Sequence, residues 1–245
     1  MSDFNIIPLT NTLLNFVFLH QTILMKAFFY KYRIFFGVLI IFSAVTISLF
    51  YMALKPAKSL PIYNPADVNP ELVDSTVQYV SKYHTIADFS FVNQNGKTIT
   101  QKNYEGKIYV ADFFFTTCGS ICPKMTTNLE EVQKAILNNP KVMLLSHTVF
   151  PETDSVPVLK EYAIKHHVVD SKWNLVTGDK KAIYTMARKS YLAVKLGKPE
   201  ELYDMVHTEN FVLVDQKRRV RGFYDGTNKE DVQRLIEDIA FLSEQ

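Results

Sequence analysis

The sequence has few of the residues that build cross-linked, fibrous or nucleic-acid-binding chains. Only two cysteines are present, which excludes a multi-disulfide scaffold and a four-cysteine zinc site. Eight glycines and ten prolines exclude collagen-like and linker-dominated chains. The formal net charge is only +2, so no basic excess indicates a nucleic-acid surface. With 47% hydrophobic residues among 245, the chain suits one membrane anchor and one folded domain.

A long apolar run near the N-terminus predicts a transmembrane helix. Residues 34–54 carry no charge, and a helix of this length covers about 31 Å, close to the hydrocarbon thickness of a bilayer. Basic residues are slightly more frequent before the run than after it. We therefore expect a short cytoplasmic segment over residues 1–33, an uncleaved anchor, and an extracytoplasmic remainder. Residues 1–24 resemble neither a folded element nor a targeting signal, so translation is expected to start at Met25.

The remainder of the chain predicts a tether followed by an α/β domain. Four prolines within residues 55–73 indicate an extended tether. From residue 74 to residue 245, strand-like and helix-like segments alternate, which predicts a mixed central sheet flanked by helices. Asn95-Gly96 predicts a two-residue hairpin turn, and the aromatic run Lys107–Phe115 predicts a strand buried on both faces. Further predicted strands are Val142–Val149, Trp173–Thr177, Phe211–Asp215 and Val220–Tyr224, and predicted helices are residues 124–139, Val156–His166, Lys180–Ser190 and Asn228–Leu242.

The two cysteines lie together where the buried strand gives way to a helix. Cys118 and Cys122 are four residues apart, which predicts both sulfurs on one side of the first helical turn. Pro123 suits an early helical position because its missing N–H is not needed there. The positive end of a helix lowers thiol pKa values, so we expect both side chains to be poised as thiolates. Two adjacent thiolates either form a disulfide or bind a soft metal ion, which then requires a third ligand.

The residues alone leave that third ligand open among six histidines. One of them, His207, stands just before a predicted strand and is a candidate. The others lie outside the domain, before its first strand, within a strand, or at a helix end where the dipole favours them: His20, His84, His147, His166 and His167.

The cysteine motif occurs together with two further blocks of sequence. The three blocks are DFFFTTCGSICPKM, VFPETDSVPVLKEYA and VHTENFVLVDQKRRVRGFYDG. They resemble the Sco (SenC-type) family of copper chaperones over about residues 84–245, and the anchor is similar as well. The resemblance implies a thioredoxin-like domain that binds one copper ion, Cu(I) or Cu(II), through Cys118, Cys122 and His207.

The same resemblance implies a metallochaperone, rather than an enzyme, that supports assembly of the copper site of cytochrome c oxidase. The expected partners are the copper-bearing subunit of a respiratory oxidase and the membrane, with no nucleic acid. Because a disulfide would abolish the copper site, an extracytoplasmic thiol reductant is expected too. The domain would then lie on the periplasmic or intermembrane-space side of the membrane.

The chain departs from the family pattern at two places. The family commonly carries D-P-x-x-D after the strand that follows the cysteine helix, and here Phe150 replaces the first acid. The usual D-x-x-G turn before the last strand begins at Asp215 but lacks its glycine. Three consecutive basic residues there, Lys217–Arg219, could contact an acidic partner or lipid headgroups.

A thiol–disulfide oxidoreductase of thioredoxin type is the alternative function. Asp112 lies six residues before Cys118, as the buried acid of thioredoxins does, and could accept a proton from the inner thiol. Against this, three residues rather than two separate the cysteines, and no proline immediately precedes Phe211, where thioredoxins place a cis-proline. A thiol peroxidase is excluded because Ala111 and Phe115 stand where its P-x-x-x-[ST]-x-x-C motif requires Pro and Ser or Thr.

Overall fold

The structure is a computed structural model that describes residues 9–54, 58–193 and 209–245, with the backbone alone over residues 9–18. The chain divides into two compact units, Met1–Lys58 and Ser59–Gln245, called here the N-terminal and C-terminal units. Each is described by itself.

The described part of the N-terminal unit consists of two helices, α1 (Leu9–Lys31) and α2 (Arg33–Leu54). The predicted apolar helix is confirmed as α2, which among the described residues is the helix long and apolar enough to cross a bilayer. The expectation that residues 1–24 resemble no folded element is wrong, because α1 begins at Leu9. No glycine or proline interrupts the sequence of α1, so its scattered polar residues lower the helix propensity only slightly. The start of translation at Met25 stays a prediction.

The segment after α2 differs from the predicted extended tether of residues 55–73. From Leu60 on it is bound to the C-terminal unit. The guanidinium of Arg221 donates hydrogen bonds to the carbonyl oxygens of Leu60 at 2.7 Å and Pro61 at 2.9 Å. Tyr63 forms a β-bridge to Val220 on the edge strand of the sheet. An edge strand offers free backbone groups, and this segment satisfies some of them.

Two prolines of this segment, Pro65 and Pro70, begin tight turns instead of extended chain. Pro65–Asp67 and Pro70–Leu72 are single 3₁₀ turns, each begun by a proline whose fixed φ suits the first position. Val73 is fully buried at the end of the segment. The folded C-terminal unit therefore begins near Ser59 and not near residue 74.

A seven-stranded mixed sheet forms the centre of the C-terminal unit, in the order β2-β1-β5-β4-β3-β6-β7. Strands β3, β4 and β5 are parallel, and β1, β2, β6 and β7 join them through antiparallel pairings. The strands are β1 (Ser90–Asn93), β2 (Thr98–Thr100), β3 (Ile108–Phe114), β4 (Val142–Thr148), β5 (Trp173–Thr177), β6 (Asn210–Val214) and β7 (Val220–Asp225). Every predicted strand thus has its counterpart, and the predicted mixed sheet is confirmed.

Helices cover both faces of this sheet, as predicted. One face carries α3 (Cys122–Ile136), α4 (Val156–Lys165) and α6 (Lys229–Ser243), and the other carries α5 (Lys180–Thr185). In α3 the buried apolar residues recur every three or four positions, as for a helix with one face in the core: Met125, Leu129, Val132 and Ile136. The predicted helix over residues 180–190 changes after α5 into a single π-helical turn, Met186–Ser190.

Strand β3 is buried on both faces, which explains its unbroken apolar sequence. Side chains alternate along a strand, so Ala111 and Phe113 join the core cluster on the α5 side. Val110 and Phe114 join the cluster on the α3 side, which also holds both cysteines. The cysteines therefore belong to the α3 side of the sheet.

The first hairpin has a longer turn than the sequence predicted. Asn93 N–H donates to the Lys97 carbonyl at 2.9 Å, so the turn holds three residues and not two. Gly96 takes the left-handed conformation with φ +72°, which favours glycine at that position. Asn93 Oδ1 accepts hydrogen bonds from the backbone of the turn and strengthens this arrangement.

The turn between β6 and β7 shows how the missing glycine is replaced. Arg218 stands at the fourth position of the D-x-x-G pattern and adopts the left-handed conformation, with φ +64°. That conformation costs a non-glycine residue on the order of 1 kcal/mol. The guanidinium of Arg218 binds Asp88 at 2.7 Å and the carbonyl of Ile86, and these contacts offset the cost. Arg219 binds Asp215, so both arginines of the basic run have partners within the unit.

His147 lies on the α5 side of the sheet, in an aromatic environment. It is fully buried, and within the described part of the chain neither ring nitrogen has a partner with ordinary hydrogen-bond geometry. Its ring stacks on Phe113, with 5.1 Å between centroids, and contacts Phe91 and Tyr191 at 5.6 and 5.3 Å. Burial lowers the pKa of His147 to about 3, so the ring is neutral at ordinary pH.

We expect this histidine to make the C-terminal unit sensitive to acid. The folded pKa lies below the unfolded value of about 6.5, so protons favour the unfolded chain and stability falls as pH drops below that value. Urea titrations at pH 7 and at pH 5 measure the free energy of unfolding. The decrease between the two pH values should be about 2 kcal/mol smaller in His147→Leu than in the parent. His167→Asn, at an exposed position, is the control and should behave like the parent. Equal losses in parent and His147→Leu would show that folding does not lower the pKa of His147.

Candidate metal centre

The two cysteines are positioned by the end of β3 and the start of α3. After Phe114 the chain makes a turn in which the Cys118 N–H donates to the Phe115 carbonyl at 3.3 Å. Helix α3 begins at Cys122, with Pro123 as its second residue, as predicted. Cys118 therefore lies in the loop before the helix, and the prediction that both sulfurs share the first helical turn is wrong. The loop, rather than helical spacing, brings the two thiols together.

The two thiols are free, nearly buried and in contact with each other. The exposed fractions are 8% for Cys118 and 3% for Cys122. The Cys122 thiol and backbone N–H both hydrogen bond to the Cys118 sulfur. Ser120 Oγ lies 3.6 Å from Cys118 Sγ and provides another hydrogen bond. The Cys118 sulfur thus accepts several hydrogen bonds, which stabilise its thiolate form.

The environment moves the two thiol pKa values in opposite directions. Burial raises the pKa of Cys118, but hydrogen bonds from Cys122 and Ser120 outweigh it and hold that pKa below its ordinary value. Burial, followed by the hydrogen bond to Cys118, raises the pKa of Cys122 well above its ordinary value. The prediction that both cysteines are poised as thiolates is therefore wrong for the metal-free protein. Desolvation of the inner sulfur exceeds the benefit of the helix N-terminus.

A buried carboxyl group lies on the cysteine side of the sheet. Asp112 is 2% exposed and accepts a hydrogen bond from the Ser146 hydroxyl. Ser146 Oγ in turn accepts from the Trp173 indole N–H at 2.8 Å. Burial raises the pKa of Asp112 to about 7, and the Asp112 charge contributes to the raised pKa of Cys122. Asp112 can therefore hold or release a proton near the inner thiol at neutral pH.

Two polar side chains that the sequence analysis missed support the first turn of α3. The Thr126 hydroxyl donates to the Cys122 carbonyl at 2.9 Å and lies 2.7 Å from the Tyr162 hydroxyl. Tyr162 belongs to α4, so this contact joins the two helices beside the cysteines. The four-residue spacing from Cys122 to Thr126 was a usable signal in the sequence. Nothing in the sequence pattern indicated Tyr162, because α4 approaches only through the tertiary fold.

Three of the six histidines have contacts in the structure that involve neither sulfur. His147 lies on the opposite face of the sheet, and His84 Nε2 lies 2.8 Å from the Ser190 carbonyl oxygen. His166 Nδ1 lies 3.0 Å from Glu130 Oε1, and its ring contacts Tyr162. His207 lies outside the described residues.

The described residues supply two ligands for a metal ion but no complete set. Within residues 9–54, 58–193 and 209–245, no group of three or more His, Cys, Asp or Glu side chains could hold a metal ion. The two contacting sulfurs are soft donors and suit Cu(I) when both are deprotonated. A metal ion would replace the proton that Cys122 carries, which is the ordinary route by which thiols bind metals.

Comparison with known proteins identifies relatives across most of the C-terminal unit. A family model described as SCO1/SenC matches residues 77–243. The SCO1 protein homolog of Bacillus subtilis (strain 168) is 32% identical over 162 residues, which cover 65% of this chain and 83% of the relative.

Solved structures are similar in fold as well. BsSco, described as a member of the Sco family of cytochrome c oxidase assembly proteins with a disulfide switch, is 31% identical with a TM-score of 0.57, over 65% of this chain and 94% of BsSco. ScoI of Arabidopsis thaliana, solved with copper bound, is 29% identical with a TM-score of 0.52, over 65% of this chain and 98% of ScoI. The expected thioredoxin-like fold is confirmed. Since the matched region makes up nearly all of these solved chains, a unit of this kind folds on its own.

We expect the two thiols to differ sharply in reactivity. In the reduced, metal-free C-terminal unit at pH 7, iodoacetamide should modify Cys118 before Cys122, because the thiolate is the reactive form. Cys122→Ala removes a hydrogen bond to the Cys118 sulfur and should slow alkylation of Cys118 by about threefold or more. Peptide mass mapping over time measures both rates. Preferential modification of Cys122 would contradict this assignment of the pKa values.

Proposed function

The chain belongs to the SCO1/SenC family, and from this we propose that it is a membrane-anchored copper chaperone that binds one copper ion through Cys118, Cys122 and His207. It supports assembly of the copper site of cytochrome c oxidase. The observation that carries the proposal is the contact between two buried, free thiols where the chain passes from β3 to α3. The copper-bound structure of the Arabidopsis relative supports copper as the ion.

The topology of the sheet supports His207 as the third ligand. Strand β6 runs antiparallel to β3, with Val212 opposite Ala111 and Val214 opposite Tyr109. The start of β6 is therefore next to the end of β3, where the chain turns toward Cys118. His207 precedes the first residue of β6 by three positions in the sequence, and three residues can span at most about 10 Å. The strand that follows His207 therefore begins next to the strand end from which the chain continues to Cys118.

The remaining parts of the proposal concern anchoring and partners. Helix α2 supports a membrane anchor, with the C-terminal unit on the periplasmic or intermembrane-space side. The partner that receives copper is the copper-bearing subunit of a respiratory oxidase. A disulfide between Cys118 and Cys122 cannot bind the ion, so an extracytoplasmic thiol reductant must maintain the reduced form.

Thiol–disulfide exchange is a second candidate function, which one observation favours. Asp112 is buried, and its pKa, raised to about 7 by burial, suits a group that accepts a proton at neutral pH. The relevant proton is that of Cys122, whose raised pKa makes deprotonation the difficult step. The disulfide switch described for BsSco is consistent with this chemistry.

Copper titration of the reduced C-terminal unit tests the main proposal. We expect one Cu(I) per chain, with both thiols protected from thiol reagents once copper is bound. Cys118→Ser and Cys122→Ser should abolish Cu(I) binding, and His207→Ala should weaken it by about tenfold or more. The matched control is His84→Ala, because His84 contacts the Ser190 carbonyl oxygen and neither sulfur. This variant should bind copper like the parent. Unchanged copper affinity and Cu(II) spectra in His207→Ala would refute the third ligand.

Asp112→Asn tests the second candidate. The amide cannot accept the Cys122 proton, so the rate of disulfide exchange with a small dithiol should fall by about tenfold or more at pH 7. Asp88→Asn, at an exposed position, should leave the rate unchanged. Stopped-flow measurement of the exchange gives the rates. Equal rates for parent and Asp112→Asn would remove the buried acid from the mechanism.

A further inference from the structure

Asp154 carries a carboxyl group that is buried without a counterion among the residues the structure describes. The residue lies between β4 and α4 and is completely buried. Among the described Lys and Arg residues, none forms an ion pair with it. A buried carboxylate in this situation is costly unless several donors surround it. Its contacts therefore indicate why the fold retains it.

All the donors around Asp154 come from the ends of two neighbouring parallel strands. Thr116 follows β3, and its backbone N–H and hydroxyl donate to the carboxylate at 3.1 and 2.5 Å. Thr148 is the last residue of β4 and donates through its hydroxyl. The same Thr148 oxygen accepts from the Phe150 N–H at 3.0 Å. The carboxylate thus fastens two strand ends to the loop that leads into α4.

Only one of these two strand ends leads to a cysteine. Thr116 is the second residue of the turn from Phe115 to Cys118, which the Cys118 N–H closes. Fixing Thr116 fixes the direction in which that turn presents Cys118. Thr148 contacts the carboxylate from β4 and lies outside this turn, and Asp154 Oδ2 accepts from both the Thr148 hydroxyl and the Thr116 N–H.

We propose that Asp154 is a positioning residue for the metal site, which acts on Cys118 through Thr116. The inference rests on the proposed copper function for its biological meaning, but its geometry concerns the cysteine loop alone. Asp154 touches neither sulfur in any described contact, so it acts by holding the turn. With the turn held, the Cys118 sulfur stays within reach of the Cys122 and Ser120 donors.

The two threonines allow a test with a matched control. Thr116→Val and Thr148→Val are changes of the same kind, and each removes one hydroxyl from the same carboxylate. Thr116→Ser keeps the hydroxyl and should rescue the effect of Thr116→Val. Asp154→Asn removes the charge while keeping the shape of the side chain.

Three measurements on the C-terminal unit give the readouts. They are the alkylation rate of Cys118 in metal-free protein at pH 7, the Cu(I) affinity together with the Cu(II) absorption spectrum, and the thermal midpoint. Thr116→Val and Asp154→Asn should slow alkylation by about threefold or more. They should also weaken Cu(I) binding by about tenfold and shift the Cu(II) spectrum. Thr148→Val should lower the thermal midpoint but leave the rate, the affinity and the spectrum unchanged.

The outcomes separate this inference from the copper proposal. If Thr148→Val changes Cys118 as much as Thr116→Val does, or if Thr116→Val changes nothing, the positioning role is overturned. If the parent protein takes up no copper while Thr116→Val still slows alkylation, the copper function fails and the positioning role stands. Should Asp154→Asn fail to fold, the comparison of Thr116→Val, Thr116→Ser and Thr148→Val decides the question alone.

Discussion

Two buried thiols whose pKa values are moved in opposite directions are the constraint on which the site depends. Cys118 can carry a negative charge because donors from Cys122 and Ser120 surround its sulfur. Cys122 cannot carry a second charge, because it is more deeply buried and next to the first. Both thiols can therefore lose their protons only if the negative charge is compensated or the sulfurs are oxidised. A metal cation supplies the missing positive charge, and oxidation to a disulfide removes the charges altogether.

The sheet separates this pair from the buried imidazole of His147. Because β3 is buried on both faces, its side chains divide the interior into two regions. The cysteines and Asp112 lie on the α3 side, whereas the neutral ring of His147 lies among aromatic side chains on the α5 side. A buried histidine can thus influence stability in acid without taking part in the chemistry of the sulfurs. His147 is the next-to-last residue of β4, and this position near a strand end does not by itself make it a metal ligand.

The sequence predicted the elements whose signals are local, and it missed what depends on tertiary contact. The strands and helices of the C-terminal unit followed from apolar runs and periodicity, and the cysteine pair followed from its position at a strand end. The prediction of an extended tether was wrong because Arg221 forms hydrogen bonds to the carbonyl oxygens of Leu60 and Pro61. The spacing of the prolines does not indicate these contacts. The expectation of two thiolates was wrong because burial of Cys122 is a property of the packed helix α3. Tyr162 likewise reaches the site only once α4 has packed.

The asymmetry of the two thiols decides how the proposed copper site responds to pH. Hydrogen bonds hold the pKa of Cys118 below its ordinary value and burial raises that of Cys122, so the proton on Cys122 is the harder one for a metal ion to displace. As pH falls, a metal ion must compete first with that proton and then with a second on Cys118, so affinity decreases. In the proposed copper site the inner sulfur would limit copper binding, and the outer sulfur, which is more exposed, would be the one that a partner thiol or an incoming ion meets first. Transfer and exchange would both begin at Cys118, and the order of events follows from burial rather than from any difference in the chemistry of the two side chains.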